Sequence, residues 1–239
     1  NFFTYLKPNK ELDKPIIISS PHSGVLLESD LLDKRNRDIY SFDSMQDMYV
    51  NELSYGLNEF GFTVLQSNIS RIVIDLNRDI NEINPKMIKN LPSDIEINFS
   101  DKVKGGIGLI AMKDASGNNI YDKKIDWLEV KSRIDNYYLP WHKALKNEIN
   151  ILLDKFKRVL IIDMHSMPSE TIYSNKLADF VIGNNFGKSS SEASIKILSN
   201  LIKSYGYSVS INNPYSGGFI TKNYSSIDKN IQCIQLEIK

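Results

Sequence analysis

The stretch Arg158-Val159-Leu160-Ile161-Ile162-Asp163-Met164-His165-Ser166 decides how this chain is read. Its apolar part is short, rich in β-branched residues and closed by a carboxylate and a histidine, the pattern of a strand buried on both faces. A run of the same kind, Pro15-Ile16-Ile17-Ile18-Ser19-Ser20, leads into Pro21-His22-Ser23-Gly24. Working outward, Phe62–Gln66 and Arg71–Leu76 read as further buried strands, with Tyr207–Ile211 and Ile231–Ile238 as later ones. Helical spacing fills the intervals. Asp47–Phe60 carries Tyr49, Val50, Leu53 and Leu57 and stops at Gly61; Trp127–Phe156 is long and amphipathic, with Pro140 marking a break or a fresh start; Ser191–Tyr205 ends at Gly206. Strands alternating with helices predict an α/β protein, a three-layer α/β/α sandwich with a central mixed, mostly parallel sheet. Asn84–Asp122, rich in Asn, Gly, Lys and Asp, reads as a long excursion beside the site. No repeat, low-complexity tract or linker interrupts residues 1–239, which are read as one domain.

Composition narrows the function classes. The 239 residues carry 29 Lys+Arg and 29 Asp+Glu, a formal net charge of zero, so nothing suggests binding to nucleic acid or to an anionic membrane. With the single cysteine Cys233 there is no intrachain disulfide and no thiolate-rich zinc site; any metal must be held by nitrogen and oxygen. The apolar runs are too short to span a bilayer. No signal-peptide pattern opens the chain, and Asn1 stands where an initiator Met is expected, which suggests trimming. The sequons at Asn68, Asn98 and Asn223 then carry little meaning. The expectation is a cytoplasmic enzyme, monomeric or a small homo-oligomer, acting on a small molecule.

Two of the three histidines occupy equivalent places. His22 and His165 each fall just beyond the carboxyl end of an expected buried strand, where open α/β sheets place ligands. Two neutral imidazoles at one sheet edge suit a zinc ion without thiolates. A third ligand is needed. Asp43 and Asp47 stand four apart at the start of an expected helix, and Glu28 is nearer His22 in sequence. Asp43 also fits a helix N-cap; Asp47, one turn further in, does not, and is the better ligand candidate.

Polar residues inside otherwise apolar runs mark further candidates. In Arg71-Ile72-Val73-Ile74-Asp75-Leu76-Asn77-Arg78 an extended chain would put Arg71, Val73, Asp75 and Asn77 on one face. That is either the solvated face of an edge strand or a place where Arg71 and Arg78, with Asn77, meet a carboxylate or oxyanion, for which the guanidinium fork is suited. Gln235 and Glu237 share a face of the last strand, and Glu237 there can act as the general base that activates water at a metal. Cys233 reads as a small buried hydrophobe. Gly217-Gly218-Phe219-Ile220-Thr221 is a close-approach loop for substrate or a plain turn. His142, near the start of a helix, is either half-buried packing or a residue orienting ligands or substrate. Gly106-Ile107-Gly108-Leu109-Ile110-Ala111 matches a dinucleotide fingerprint only formally, because the preceding strand and the following helix are missing.

Taken in order, Ser20–Gly24, Ser70–Arg78, Asp163–Ser166, Gly217–Thr221 and Ile234–Glu237 resemble the N-formylglutamate amidohydrolases, as do the weaker runs Asn51–Leu57, Pro140–Leu145 and Asp179–Gly183. The likeness covers almost the whole chain. That family is similar to the zinc carboxypeptidase and aspartoacylase group, which implies the α/β/α sandwich and one zinc ion. It also implies release of the formyl group from N-formyl-L-glutamate, or a similar N-acyl acidic amino acid, by metal-activated water, a step of histidine degradation. The resemblance assigns His22 and His165 to the metal, Glu237 to the general base and Arg71 to the oxyanion. Asn77 and Arg78 would grip the substrate carboxylate; His142, Gly218 and Thr221 are expected at the substrate from the reading of the residues above. The carboxypeptidase group takes its acidic ligand three residues after the first histidine, where this chain has Val25, so Asp47 is preferred and Asp43 kept as alternate. The family normally continues past the strand that ends near Lys239, which implies a further helix. Competing expectations are an amidase or carboxypeptidase on other acylated amino acids or peptides, and a binding module without turnover, which would have no use for a base.

Overall fold

The computed structural model describes residues 1–27, 45–170 and 176–239. Its strands are β1 (Phe3–Leu6), β2 (Ile16–Ser20), β3 (Thr63–Ser67), β4 (Ile88–Lys89), β5 (Ile125–Asp126), β6 (Val159–Ser166), β7 (Phe180–Gly183), β8 (Val209–Ile211) and β9 (Ile231–Ile238). Its helices are α1 (Val50–Leu53), α2 (Asp101–Lys104), α3 (Trp127–Arg133), α4 (Leu139–Phe156), α5 (Glu192–Ser204) and α6 (Phe219–Tyr224). Among the described residues none of these is long and apolar enough to cross a membrane.

The chain divides into two compact units. One comprises Thr4–Ser20, Asp47–Gln66 and Leu145–Lys239, and carries nearly all of a seven-stranded sheet in the order β1-β3-β2-β6-β9-β7-β8. β6 lies at its middle, parallel to β2 on one side and β9 on the other; β7 turns antiparallel to β9, so the sheet is mixed but mostly parallel. Period-2 alternation then sorts the side chains. On one face Ile18, Val64, Met164, Ile182 and Ile234 are buried beneath Val50 of α1 and Ile195 and Ile202 of α5. Each such burial contributes about 1.5–3 kcal/mol. The opposite face starts apolar with Ile17, Ile161 and Cys233, all inaccessible, and α4 lies against it, where Glu148 accepts a 2.7 Å hydrogen bond from Thr63. Towards the carboxyl ends that same face becomes polar, presenting Ser19, Asp163, His165, Gln235 and Glu237 in register.

The other unit comprises Asn1–Phe3, Pro21–Gln46 and Ser67–Ala144, with the short parallel pair β4–β5. Trp127–Phe156 is helical throughout, but Ile134–Tyr138 widens into a π-helical turn immediately before Pro140. Proline has no N–H to give a preceding carbonyl, and local widening relieves the clash its ring would cause.

Three sequence expectations are corrected. Arg71–Leu76 is not a strand: Val73 N–H reaches back to Ser70, and Asp75 accepts from the Asn77 N–H at 2.9 Å, so side-chain-to-backbone bonding replaces a ladder. Asp47–Phe60 is not one helix, since Tyr49 and Gly56 adopt left-handed φ of 64° and 76° and leave only α1 and a 3-10 turn at Leu57–Phe60. Asp47 therefore precedes the helix rather than lying one turn inside it. His165 lies within β6 rather than beyond it, paired with Glu237.

Candidate functional site

The polar end of the sheet is built by register. β6 brings Asp163 and His165 to one face, two residues apart, and the ladder sets Glu237 of β9 beside His165 and Gln235 beside Asp163. Asp163 accepts from Ser19 at 3.1 Å through one oxygen and lies 3.2 Å from His165 Nε2 through the other. Across the ring, His165 Nδ1 lies 2.6 Å from Asp47 Oδ2. Desolvation opposes a charge on this fully buried ring, but the carboxylates of Asp163 and Asp47 outweigh it and raise the His165 pKa well above the ordinary imidazole range.

Gln235 ties two neighbours together. Its amide donates to Glu237 Oε1 at 2.7 Å while its carbonyl accepts from the Gly218 N–H at 2.6 Å, so the carboxylate and the Gly217-Gly218 turn are fixed to each other. Thr221 is wholly buried. Gly183, at the end of β7, has no side chain because a Cβ there would meet the Ser216 backbone at 2.8 Å. The loop can therefore lie close over the strand end and carry Tyr215. The half-buried Tyr215 phenol is raised above its ordinary pKa by desolvation and then by the charges of Glu237 and Asp47. Sequence reasoning missed Tyr215; its signal was the Pro-Tyr-Ser-Gly-Gly turn.

His22 follows β2 through Pro21, and a Cβ on Gly24 would strike the Ile69 carbonyl at 2.3 Å, so only glycine lets this turn close against its neighbour. Asp75 Oδ1 lies 2.7 Å from His22 Nε2, and Asp75 Oδ2 accepts from Arg71 at 2.8 Å. Arg78 stands 3.9 Å from that second oxygen. Desolvation would raise the Asp75 pKa, but His22, Arg71 and Arg78 together hold it well below the usual carboxylate range. The Arg78 guanidinium donates to the carbonyls of Ile107 and Asn77, at 2.8 and 2.9 Å, and Asn77 is buried beside it. His142 packs on the Tyr138 ring at 4.1 Å between centroids and is hydrogen-bonded to the backbone of Leu76; burial pushes its pKa down to about 4.

His22, Asp47 and His165 are all buried, and within the sheet unit Asp47 and His165 stand side by side, a nitrogen–carboxylate pair of the kind that could hold a metal ion. Two imidazoles and a carboxylate form a nitrogen–oxygen donor set that fits zinc, and the carboxylates behind the rings, Asp75 and Asp163, are the partners that metal-bound histidines use. Asp43 and Glu28 lie outside the described residues.

Fold and site together define a mostly parallel α/β protein with a histidine–carboxylate group at the carboxyl ends of its strands. The family model for N-formylglutamate amidohydrolase matches residues 14–239, and the chain belongs to that family. It is 27% identical over 229 residues to the N-formylglutamate deformylase of Pseudomonas putida, covering 94% of this chain and 79% of that one. It is 26% identical over 229 residues to the Pseudomonas aeruginosa enzyme of the same name, covering 94% and 80%. The crystal structure of N-formylglutamate amidohydrolase from Ralstonia eutropha JMP134 superposes with a TM-score of 0.91 at 28% identity, over 99% of this chain and 85% of that one. A gene product of Agrobacterium tumefaciens shares the fold at a TM-score of 0.70 and 15% identity, over 99% and 84%.

Proposed function

We propose that this protein is a zinc-dependent amidohydrolase that hydrolyses N-formyl-L-glutamate to formate and glutamate. The observation that carries the reading is the buried pairing of each imidazole with carboxylates, His165 with Asp47 and Asp163 and His22 with Asp75. His22, Asp47 and His165 would hold the ion, which when bound supplies Lewis-acid polarisation and a more acidic water.

The chain's own groups supply the remainder. Glu237, aligned by Gln235, takes a proton from the attacking water and delivers it to the amide nitrogen as the C–N bond breaks, leaving formate and the free amine. Arg71, its charge set by Asp75, faces the oxygen on which negative charge develops. Asn77 and Arg78 take the substrate carboxylate, the guanidinium in bidentate fashion. His142 holds the Leu76 backbone and so positions the Asn77-Arg78 run. Gly218 and Thr221 shape the loop on the other side of the substrate.

Formate release from N-formylglutamate by the purified protein, before and after chelation and with zinc restored, tests the reading. Release is expected, lost on chelation and recovered with zinc. Full activity in metal-free protein would remove the ion from the mechanism, and absence of formate under all conditions would remove the substrate.

A further inference from the structure

The mechanism leaves two buried polar side chains unused, Arg133 and Tyr138, one at each end of the π-helical turn between α3 and α4. One nitrogen of the Arg133 guanidinium donates to the Val73 carbonyl at 3.0 Å and to the Tyr121 hydroxyl at 2.8 Å; another donates to Glu129 at 2.7 Å. Tyr138 donates its hydroxyl to the Arg78 carbonyl at 2.8 Å. Both backbone acceptors lie in the Arg71–Arg78 run, Val73 between Arg71 and Asp75, Arg78 at its end. That run belongs to no ladder, so its buried carbonyls must find partners elsewhere.

The π turn is what aims both side chains at one target. In a plain α-helix five residues make about 1.4 turns, which would leave Arg133 and Tyr138 about 140° apart around the axis. Here the Leu139 N–H bonds to the Ile134 carbonyl five positions back, and a turn of that width returns a side chain five residues on to nearly the same face. Stability alone gives little reason for a guanidinium at this place. Arg133 is inaccessible to solvent, and an apolar side chain of similar volume often serves a core as well as a buried ion pair does. What an apolar side chain cannot do is fix a carbonyl.

Resting on the amidohydrolase reading above, we propose that Arg133 and Tyr138, aligned by the π turn, are positioning residues that hold the Arg71–Arg78 backbone in its non-strand course. Arg133 sets Arg71 and Asp75 through Val73, and Tyr138 sets Arg78 through its own carbonyl. Each acts through the backbone and not on the substrate.

The test has two readouts, hydrogen exchange of the amides in residues 70–78 and the kinetics of N-formylglutamate hydrolysis by zinc-loaded protein. It compares wild type with Tyr138→Phe, Arg133→Met and Arg133→Lys. Tyr138→Phe deletes one oxygen and keeps the ring that packs on His142. It is expected to speed exchange in the run and to raise KM by about 3–10-fold, with kcat within about twofold. Arg133→Met is expected to speed exchange likewise and to lower kcat by about 10–100-fold. Arg133→Lys should restore part of that loss, because an ammonium can reach the Val73 carbonyl but has no fork to engage Glu129 as well. A lowered melting temperature with kcat, KM and exchange in the run at wild-type values would overturn the proposal. Should Arg133→Met fail to fold, Tyr138→Phe decides, and unchanged exchange and KM in that variant would overturn it. Absence of formate from wild type would remove the amidohydrolase reading, while the exchange rates would still show whether the two side chains hold the run.

Discussion

Asp75 grips His22 Nε2 with one carboxylate oxygen, at 2.7 Å, and the Arg71 guanidinium with the other, at 2.8 Å. One buried anion thus fixes the tautomer of a candidate metal ligand and the place of a candidate oxyanion donor. Asp75→Asn keeps the shape and removes the charge. It should lower metal affinity by about 10–100-fold, read by competition with a chelating indicator. Unchanged affinity would reduce the contact to packing.

His22→Ala and His165→Ala should each lose metal and activity together, measured by elemental analysis alongside formate release. Full zinc in both variants would sink the ligand assignment. Asp47→Asn should lose more metal than Asp43→Asn, and the opposite order would transfer the role to Asp43.

Glu237 and Arg78 should separate kinetically. Glu237→Gln removes the base from the chemical step, so kcat should fall by about 10²–10⁴ with little change in KM. Arg78→Ala removes binding common to ground and transition states and should mainly raise KM, with Arg78→Lys a partial rescue because an ammonium has no fork. Arg71→Ala should resemble Glu237→Gln in depressing kcat.

His142 predicts a pH dependence of stability. The unfolded chain takes up its proton near 6.5, the folded chain only near 4, so between these values the unfolded state binds more protons. Stability should therefore fall as pH drops from about 6.5 to about 4, by about 3 kcal/mol from this residue. Denaturant titrations of wild type and His142→Gln across that window should differ in slope, and parallel curves would contradict it. His142→Ala should keep its metal while losing turnover.

Most of the sheet was legible because β2 and the first half of β6 are apolar runs rich in β-branched residues, and β9 sets its few polar residues among apolar ones, a composition that reflects burial on two faces. Both histidines were found by their place at those strand ends. Arg71–Leu76 misled because its alternation of polar and apolar residues imitates a strand, while Asp75 bonds locally to the Asn77 N–H instead. The Asp47–Phe60 helix failed at two left-handed residues that hydrophobic spacing does not register. β7, only Phe180–Gly183, was too short for periodicity to reveal. Tyr215 was invisible for another reason: it is an ordinary residue type in a turn-rich segment, and only the folded chain shows which charges surround it.

The eight-residue ladder between β6 and β9, which sets His165 opposite Glu237, has a consequence for partly assembled chains. A slip of β9 by one position would send Glu237 through the sheet to the face occupied by Met164 and Leu236, away from His165, and no rotamer change could bring it back. With the roles proposed for His165 and Glu237, catalytic competence becomes a yes-or-no report on strand alignment. During refolding, formate release should lag behind the return of strand signal and follow the last event that locks the alignment, with no population of half-active molecules.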